Sequence, residues 1–387
     1  MSEKELGGGV AATAHSRATQ AQIIVGELCE QFAARGEDDP AAIVFFCGHT
    51  LDGAAIAAGL RERLPNTEVV GCTSAGEYTD GHYGRGGTAA MALSRAKVGR
   101  CAAALAQLGE GVDAGVRAAC ASLSARLGDV RELDADRHVG LALIDGAHER
   151  EEEVNEALGN VAPFLSFVGG SAGDDIAFER TQVFCNGERS EDGAALLVLE
   201  MAPGVPFRVV KTSHFAPTET AVEVTKVGGT GRLVLELDGR PAREVYAELI
   251  GVEPDAMTNG DCFPHPLGLM IGGKAWLRSV LALPPDQPGA LLFACRMLEG
   301  ATLQLMRPLD LVEDTVAALD EAAEAMGAPI VGAIQFDCAY RRLEIEARDI
   351  AVDYHRAIAR QSLVGLHTHG ESWLGHMNQT LTCLVFG

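Results

Sequence analysis

Residues 41–78, AAIVFFCGHTLDGAAIAAGLRERLPNTEVVGCTSAGEY, decide the fold. The apolar run AAIVFFCG (41–48) is bounded by turn-forming residues and reads as a buried strand. LDGAAIAAGLRERL (51–64) has helical spacing, and TEVVG (67–71) is a second strand leading into Cys72-Thr73-Ser74-Ala75-Gly76-Glu77. The same order returns further along the chain. HVGLALIDG (138–146) is followed by the helical EEEVNEALGNVA (151–162), the strand LSFVG (165–169) and Gly170-Ser171-Ala172-Gly173-Asp174. A looser third copy starts at IVGAIQFDCAYRRLEIE (330–346). It continues through a helical stretch at 347–360 and the strand SLVGL to His367-Thr368-His369-Gly370-Glu371.

Each copy then meets one more apolar strand: GTAAMALSRA (87–96), GAALLVLEMA (193–202) and QTLTCLVFG (379–387). Period-sized internal similarity of this kind marks duplication. Buried apolar strands alternating with helices predict an α/β protein of layered mixed β-sheets covered by helices, with internally repeated β-α-β units. Residues 206–240 differ, being short Val- and Thr-rich strands that end in the turn signal Asp238-Gly239. Pro241 is placed to open the helix PAREVYAELI, with Gly251 as its left-handed cap. The expected organisation is a flexible lead at 1–20, an N-terminal domain at 21–235 and a C-terminal domain at 236–387.

The full chain has 387 residues, with 31 Lys and Arg against 54 Asp and Glu, a net charge of −23. Such an excess of negative charge argues against nucleic acid or an anionic membrane surface as partner. No apolar run reaches the ~20 residues of a membrane helix, and the first residues lack the pattern of a secretory signal. The ten cysteines are scattered without a CxxC. They read as reduced thiols, which points to the cytoplasm.

The quoted motifs carry a family resemblance. GCTSAGEY, VGGSAGDD with VFCNG, ELDGRPAREVYAELIG, GLHTHGE and HMNQTLTCLVFG, in this order and spacing, resemble the FIST family. FIST is a two-part sensory module of bacterial signal transduction, and the resemblance runs over about residues 20–387. Three segments, KTSHFAPT (211–218), DCAYRRLE (337–344) and HMNQT (376–380), are similar to the stand-alone, nitric-oxide-sensing haem proteins of that family. That branch implies a cytoplasmic sensor with haem b as cofactor, acting through a separate histidine kinase or a diguanylate cyclase or phosphodiesterase. The third turn reads THGE where the family usually has TYGE, so His369 replaces an aromatic.

Candidate residues follow from chemistry at these places. There is no GxSxG elbow, P-loop, HExxH or dinucleotide-binding GxGxxG, so the expectation is a sensor and no enzyme. Ser74 and Ser171 are either nucleophiles of a hydrolase or hydroxyls bonding their own turns. Glu77, Asp174 and Glu371 sit just after strand ends, where ligands gather in open α/β sheets. They are candidate ligand-binding acids for an amine or guanidinium, lining a common cleft, or else turn-stabilising carboxylates. His214, beside Phe215 and Pro217, is the candidate axial ligand of haem iron, with His49, His265, His367 and His376 as rivals. Arg341 is a candidate clamp for a propionate or other anion, and the alternative is ion pairing of Arg341 and Arg342 with Glu344 or Glu346. His367, His369, His376 and Glu371 together suggest a divalent metal site, and His376 is also a candidate ligand-binding residue. The ligand is either haem with a diatomic gas or, alternatively, a small amino-acid-like metabolite.

Overall fold

The computed structural model describes residues 11–387. It divides into two compact units. The first comprises the chain up to Thr212, Thr315–His376 and Leu381–Gly387. The second comprises Ser213–Asp314 and Met377–Thr380.

In the first unit, the opening repeat is β1 (Ala11–Ser16), α1 (Ala21–Ala34), β2 (Ala42–Gly48), α2 (Gly53–Arg63), β3 (Glu68–Ser74), the hairpin β4 (Glu77–Thr79) and β5 (His82–Gly84), and β6 (Thr88–Leu93). The next repeat has the same order. It runs β7 (Val98–Gln107), α3 (Val112–Leu127), β8 (His138–Ile144), α4 (Glu151–Val161), β9 (Phe167–Ser171), the hairpin β10 (Val183–Cys185) and β11 (Glu188–Ser190), and β12 (Gly193–Met201). The third repeat begins with β13 (Phe207–Thr212) and is then interrupted by the second unit.

That inserted unit holds β14 (Phe215–Gly228), β15 (Leu233–Leu237), β16 (Arg240–Pro241), α5 (Ala242–Ile250), α6 (Asn259–Cys262), β17 (Leu267–Ile271), β18 (Lys274–Arg278), β19 (Val280–Ala282), β20 (Leu291–Phe293) and β21 (Thr302–Pro308). Its strands pair antiparallel, in the order β18-β17-β21-β14-β15-β20-β19 with β16 beside β15. Its own core gathers Val222, Val224, Leu237, Tyr246, Leu291 and Phe293. Pro241 caps α5, and Gly251 closes it at φ 74, as expected from the sequence.

The third repeat then resumes with α7 (Leu311–Met326), β22 (Gly332–Cys338), α8 (Ala339–Ala347), α9 (Ala351–Ile358), β23 (Ser362–Thr368), β24 (Glu371–Trp373), β25 (His376–Met377) and β26 (Leu381–Phe386). Helix starts earlier here than the expected 347–360. Ala339, Arg342 and Ile345 are buried at a spacing of three and fold 339–347 against the sheet as α8.

Three equivalent sheets result, ordered β1-β6-β2-β3-β10-β11, β7-β12-β8-β9-β24-β25 and β13-β26-β22-β23-β4-β5. In each, the two central strands are parallel and the strand that closes the repeat lies antiparallel beside them. The hairpins are exchanged cyclically. That of the first repeat joins the third sheet, that of the second joins the first, and that of the third joins the second. The inner faces of all three sheets share one apolar core, with Phe46, Met91, Leu141, Leu197, Phe336 and Leu384 among its members. Helices cover the outward faces, α1 and α2 over the first sheet and α3 and α4 over the second.

Two sequence expectations change. The lead at 1–20 is not flexible over Ala11–Ser16. AATAHS pairs antiparallel with β6, and its residues other than His15 are buried, because small side chains on both faces let a strand slot between sheet and helix. Residues 17–20 form the link from β1 to α1, and residues 1–10 of that expectation lie outside the described residues. The 235/236 division falls inside β15 of the inserted unit, whereas the compact units separate at 212/213, 314/315, 376/377 and 380/381.

Candidate functional site

The two S-A-G-acid turns and the third turn, Thr368-His369-Gly370-Glu371, meet in the first unit. Ala75 N–H donates to His367 O (2.9 Å), His367 N–H to Gly76 O (2.7 Å), Gly173 N–H to Thr73 O (2.9 Å) and Ser171 N–H to Gly370 O (2.8 Å). Gly173 has no side chain for a reason visible here, since a Cβ on it would lie 2.5 Å from the Ala75 nitrogen. The turns that sequence placed at equivalent positions are therefore in contact, one from each repeat.

Their acids are enclosed. Glu77 and Glu371 are fully buried and Asp174 is 2% exposed. Glu77 accepts from the Ser74 hydroxyl and the Gly87 amide, each at 2.6 Å. Burial outweighs those bonds and pushes its carboxyl up to about 7. Glu371 accepts from the Thr368 hydroxyl. Asp174 accepts the amides of Phe178, Glu179 and Arg180 at 2.7–2.9 Å and lies 3.3 Å from His369 Nε2. Burial opposes its ionisation, but His369 and these amides prevail and hold it well below the usual carboxylate range. The three acids thus stabilise their own loops and do not face an open cleft. The serines are engaged likewise, since Ser171 donates to Glu151 at 3.0 Å, as Ser74 does to Glu77.

Next to this junction lies a groove of about 550 Å³ between the β4–β5 hairpin and α9. Its lining is Ala351, Val352 and Ala359, with Asp80, Tyr83, His355 and Arg356. The Asp80-Gly81 turn joins the hairpin strands. The His355 ring is fixed by donating Nε2–H to Thr79 O at 2.7 Å, and it stacks obliquely on Tyr83 at 5.6 Å. Behind Tyr83, its hydroxyl is 3.0 Å from His367 Nε2. His367 is 1% exposed, and burial pulls its imidazole down to about 4, so it is neutral. Its Nδ1 is 4.0 Å from Asp337 Oδ2. Asp337 in turn accepts from Arg341 Nε and from the Tyr354 hydroxyl, each at 2.6 Å. The hydrogen-bonded path from the groove wall therefore runs from Tyr83 to His367, and the Asp337–Arg341–Tyr354 cluster lies beyond a 4.0 Å gap that carries no hydrogen bond. Because His367 N–H also bonds Gly76 O, the path reaches the three-turn junction.

The remaining candidates are placed differently from expectation. Arg341 does not clamp an exterior anion. It is fully buried and its guanidinium is spent on Asp337, Thr315 (2.8 Å) and Tyr354. His214 belongs to the inserted unit, is fully enclosed with its ring 4.3 Å from Phe215, and its carbonyl accepts from Leu309 N–H. A haem ligand must stand at the wall of an open apolar slot, with its propionate partners facing the same slot. Neither His214 nor Arg341 lines the groove or the turn junction, and Arg341 has its charge already neutralised. These two residues as arranged do not fit a haem.

His376 is 3% exposed, in the edge strand β25 of the second sheet. Among the described residues no group of three or more His, Cys, Asp or Glu is arranged to hold a metal ion. The expected cluster fails because β23 ends at Thr368. His367 stays in the strand facing Tyr83, while His369 lies in the turn and stacks on Phe178 at 4.2 Å.

Sequence reasoning had missed Tyr83, Asp80, Asp337 and Tyr354. The Asp-Gly turn within EYTDGHY was a hairpin signal for the first two. The pairing of Tyr354 with Asp337 spans separate elements and had no local signal. Among the described residues no helix is long and apolar enough to cross a membrane.

Comparison with known proteins divides the sequence inside the inserted unit, close to the 235/236 boundary expected from the sequence. Residues 41–240 match the FIST N domain and residues 242–373 the FIST C domain. An uncharacterized protein of Methanocaldococcus jannaschii is 24% identical over 289 residues, which is 69% of this chain. The chain spans about half of that relative, 53% of its length. Among solved structures, the cyanuric acid hydrolase from A. caulinodans aligns over 98% of both chains at 11% identity and a TM-score of 0.41, a likeness too distant to carry an argument. FIST domains are sensory, ligand-binding domains of signalling proteins, and with both of their parts matched in order this chain belongs to the FIST family.

Proposed function

We propose that this chain is a cytoplasmic ligand-binding sensor that performs no chemistry of its own. It takes a small amino-acid-like metabolite in the groove between the β4–β5 hairpin and α9. The observation that carries this reading is the set of groups around that groove. Asp80, which accepts from the Thr13 hydroxyl and lies 3.6 Å from Arg35, presents a carboxylate for which an ammonium group would compete with Arg35, and Arg356 offers a guanidinium for a carboxylate. Ala351, Val352 and Ala359 give apolar contact for a side chain, and Tyr83 and His355, whose rings are held by bonds to His367 and Thr79, present aromatic faces to it. Among the described residues Arg356 pairs with the exposed Asp353 at 2.9 Å, a surface pair for which a ligand can compete.

Occupation of the groove bears directly on Tyr83, and through its hydroxyl on His367 and the turn junction. A ligand whose contact with Tyr83 favours one arrangement of this linkage over another meets the requirement for signalling. Output passes to a separate protein, a histidine kinase or a cyclic-di-GMP enzyme being the class that the family resemblance implies.

Thermal denaturation with a panel of amino acids and short dicarboxylates tests the reading. A ligand at about 100 times its Kd stabilises by about 2.7 kcal/mol, a shift of several degrees. The expected result is such a shift with one chemical group of the panel, reduced in Arg356→Gln and in Asp80→Asn. A panel without effect, together with a stoichiometric Soret band after mixing with haem, would overturn it.

A further inference from the structure

A second cluster in the first unit, not used by the groove, is arranged as an anion site with one of the chain's own carboxylates in it. Arg342 on α8 is 3% exposed, yet its Nη1 donates outward at 2.5 Å to Asp175 Oδ1 as well as to Ala75 O. Its Nε is 3.8 Å from Glu346 and makes no hydrogen bond. Arg85, at the exit of β5, brings a second guanidinium to 3.5 Å from both Asp175 oxygens, and it is 54% exposed. Two arginines from separate repeats thus converge on Asp175, carried by a loop of the remaining repeat, while Glu346 stands 3.8–3.9 Å from both guanidiniums without hydrogen-bonding the Arg342 Nε. A planar guanidinium whose Nε makes no hydrogen bond can still receive a carboxylate bidentately.

The loop delivering Asp175 is held under conformational strain. Asp175 (φ 58), Ile176 (φ 72) and Phe178 (φ 54) all occupy the left-handed region. For a β-branched residue such as Ile176 that conformation is an outlier. It is enforced from one side by Asp174, which collects the amides of Phe178, Glu179 and Arg180, and from the other by the Asp175–Arg342 pair. The Asp175 side chain is 42% exposed, so apolar packing does not demand its position. Strain retained at a partly exposed charged contact marks a position with two alternatives.

We infer that Arg342 and Arg85 form a binding site for a small carboxylate, and that Asp175 is its built-in competitor, displaced when such a ligand binds and the loop 175–178 relaxes. The site selects carboxylate because that is the group it already holds in this geometry. It stands independently of what the groove takes, since the two share no lining residue. A tethered competitor acts at an effective concentration of about millimolar or more. Removing its charge should therefore tighten the binding of a free carboxylate at least about tenfold.

The experiment is calorimetric titration of the full chain with sodium succinate at constant ionic strength, with phosphate as comparison, on the wild type, Asp175→Asn and Asp175→Asn/Arg85→Gln. Arg85 is exposed, so its removal leaves folding intact; Arg342→Gln is the stricter variant where it folds. The expected result is succinate bound at least about tenfold more tightly by Asp175→Asn than by the wild type, with the gain lost in the double variant. Faster amide exchange over residues 175–180 is expected in Asp175→Asn and in succinate-saturated wild type. Equal affinity in wild type and Asp175→Asn, or a gain that survives loss of Arg85, overturns the site. Phosphate bound as tightly as succinate overturns its selectivity for carboxylate.

Discussion

Replacing Asp337 by Asn should be among the most damaging single-atom changes available in this chain. Asp337 and Arg341 are both fully buried, and Tyr354 completes the cluster. The carboxylate takes Arg341 Nε on one oxygen and the Tyr354 hydroxyl on the other, both at 2.6 Å. Asparagine keeps the shape but removes the charge, leaving a guanidinium enclosed without its counter-ion. Breaking a buried pair from one side costs about 3–5 kcal/mol. At about 2–4 °C per kcal/mol for a unit of this size, the first unit should melt roughly 6–20 °C earlier. Arg341→Met removes the other partner and should cost a similar amount, because a carboxylate is then stranded. The double variant Asp337→Asn/Arg341→Met removes both charges and should be less damaging than the sum of the singles by about 3 kcal/mol. Urea unfolding of the four proteins, followed by tyrosine and tryptophan fluorescence, closes the cycle. Single variants that each lose less than about 1 kcal/mol, with additive effects, would refute the account of Arg341 as a neutralised core residue.

Two pH predictions have opposite signs. Glu77 is pushed up to about 7 in the fold from an ordinary 4.5, so the fold favours its neutral form and loses stability as pH rises from about 4.5 to 7. That loss amounts to at most about 3 kcal/mol, and Glu77→Gln should abolish it in a pH series of melting temperatures; an unchanged profile would refute the assignment. His367 is pulled down to about 4 from 6.5, so its contribution is fully present above about 6.5 and is lost as pH falls toward 4. His367→Gln should flatten that acid limb, by up to about 3 kcal/mol, and an acid limb as steep as the wild type's would count against it. At the junction, Gly173→Ala should destabilise by about 1–3 kcal/mol, since the new Cβ meets Ala75 at 2.5 Å. Gly159→Ala in α4 has nothing within 4 Å and should stabilise by about 0.5–1 kcal/mol, and a thermal melt of the pair that reversed this order would contradict the packing.

The duplication was legible because each turn has to satisfy the same local demand, a strand ending in small residues with an acid to gather hydroxyls and amides. Ser74 with Glu77 and Thr368 with Glu371 meet it in the same way. The middle repeat was readable by eye but differs in chemistry, for there Glu151 from α4 takes the Ser171 hydroxyl and frees Asp174 for the following loop. The cyclic exchange of hairpins was not legible, since pairings such as Tyr78 with Gly365 join residues far apart in sequence. Nor was the interruption of the third repeat after Thr212, because β13 and β14 read as one Val-rich stretch. His214 stood out for its neighbours Phe215 and Pro217, yet a histidine enclosed against an aromatic is equally what a core produces. The groove escaped notice because its polar groups come from the hairpin and α9, more than 270 residues apart, as the His355–Thr79 bond shows with a separation of 276.

The most direct measurement is amide hydrogen exchange on the full chain, with and without the compound from the amino-acid and dicarboxylate panel that stabilises it most. The account predicts slowed exchange over residues 77–84 and 351–359, where the β4–β5 hairpin and α9 wall the groove, with the change carried to 366–371 through His367. Protection confined to the inserted unit, or to the neighbourhood of His214, with 77–84 and 351–359 unchanged, would contradict it.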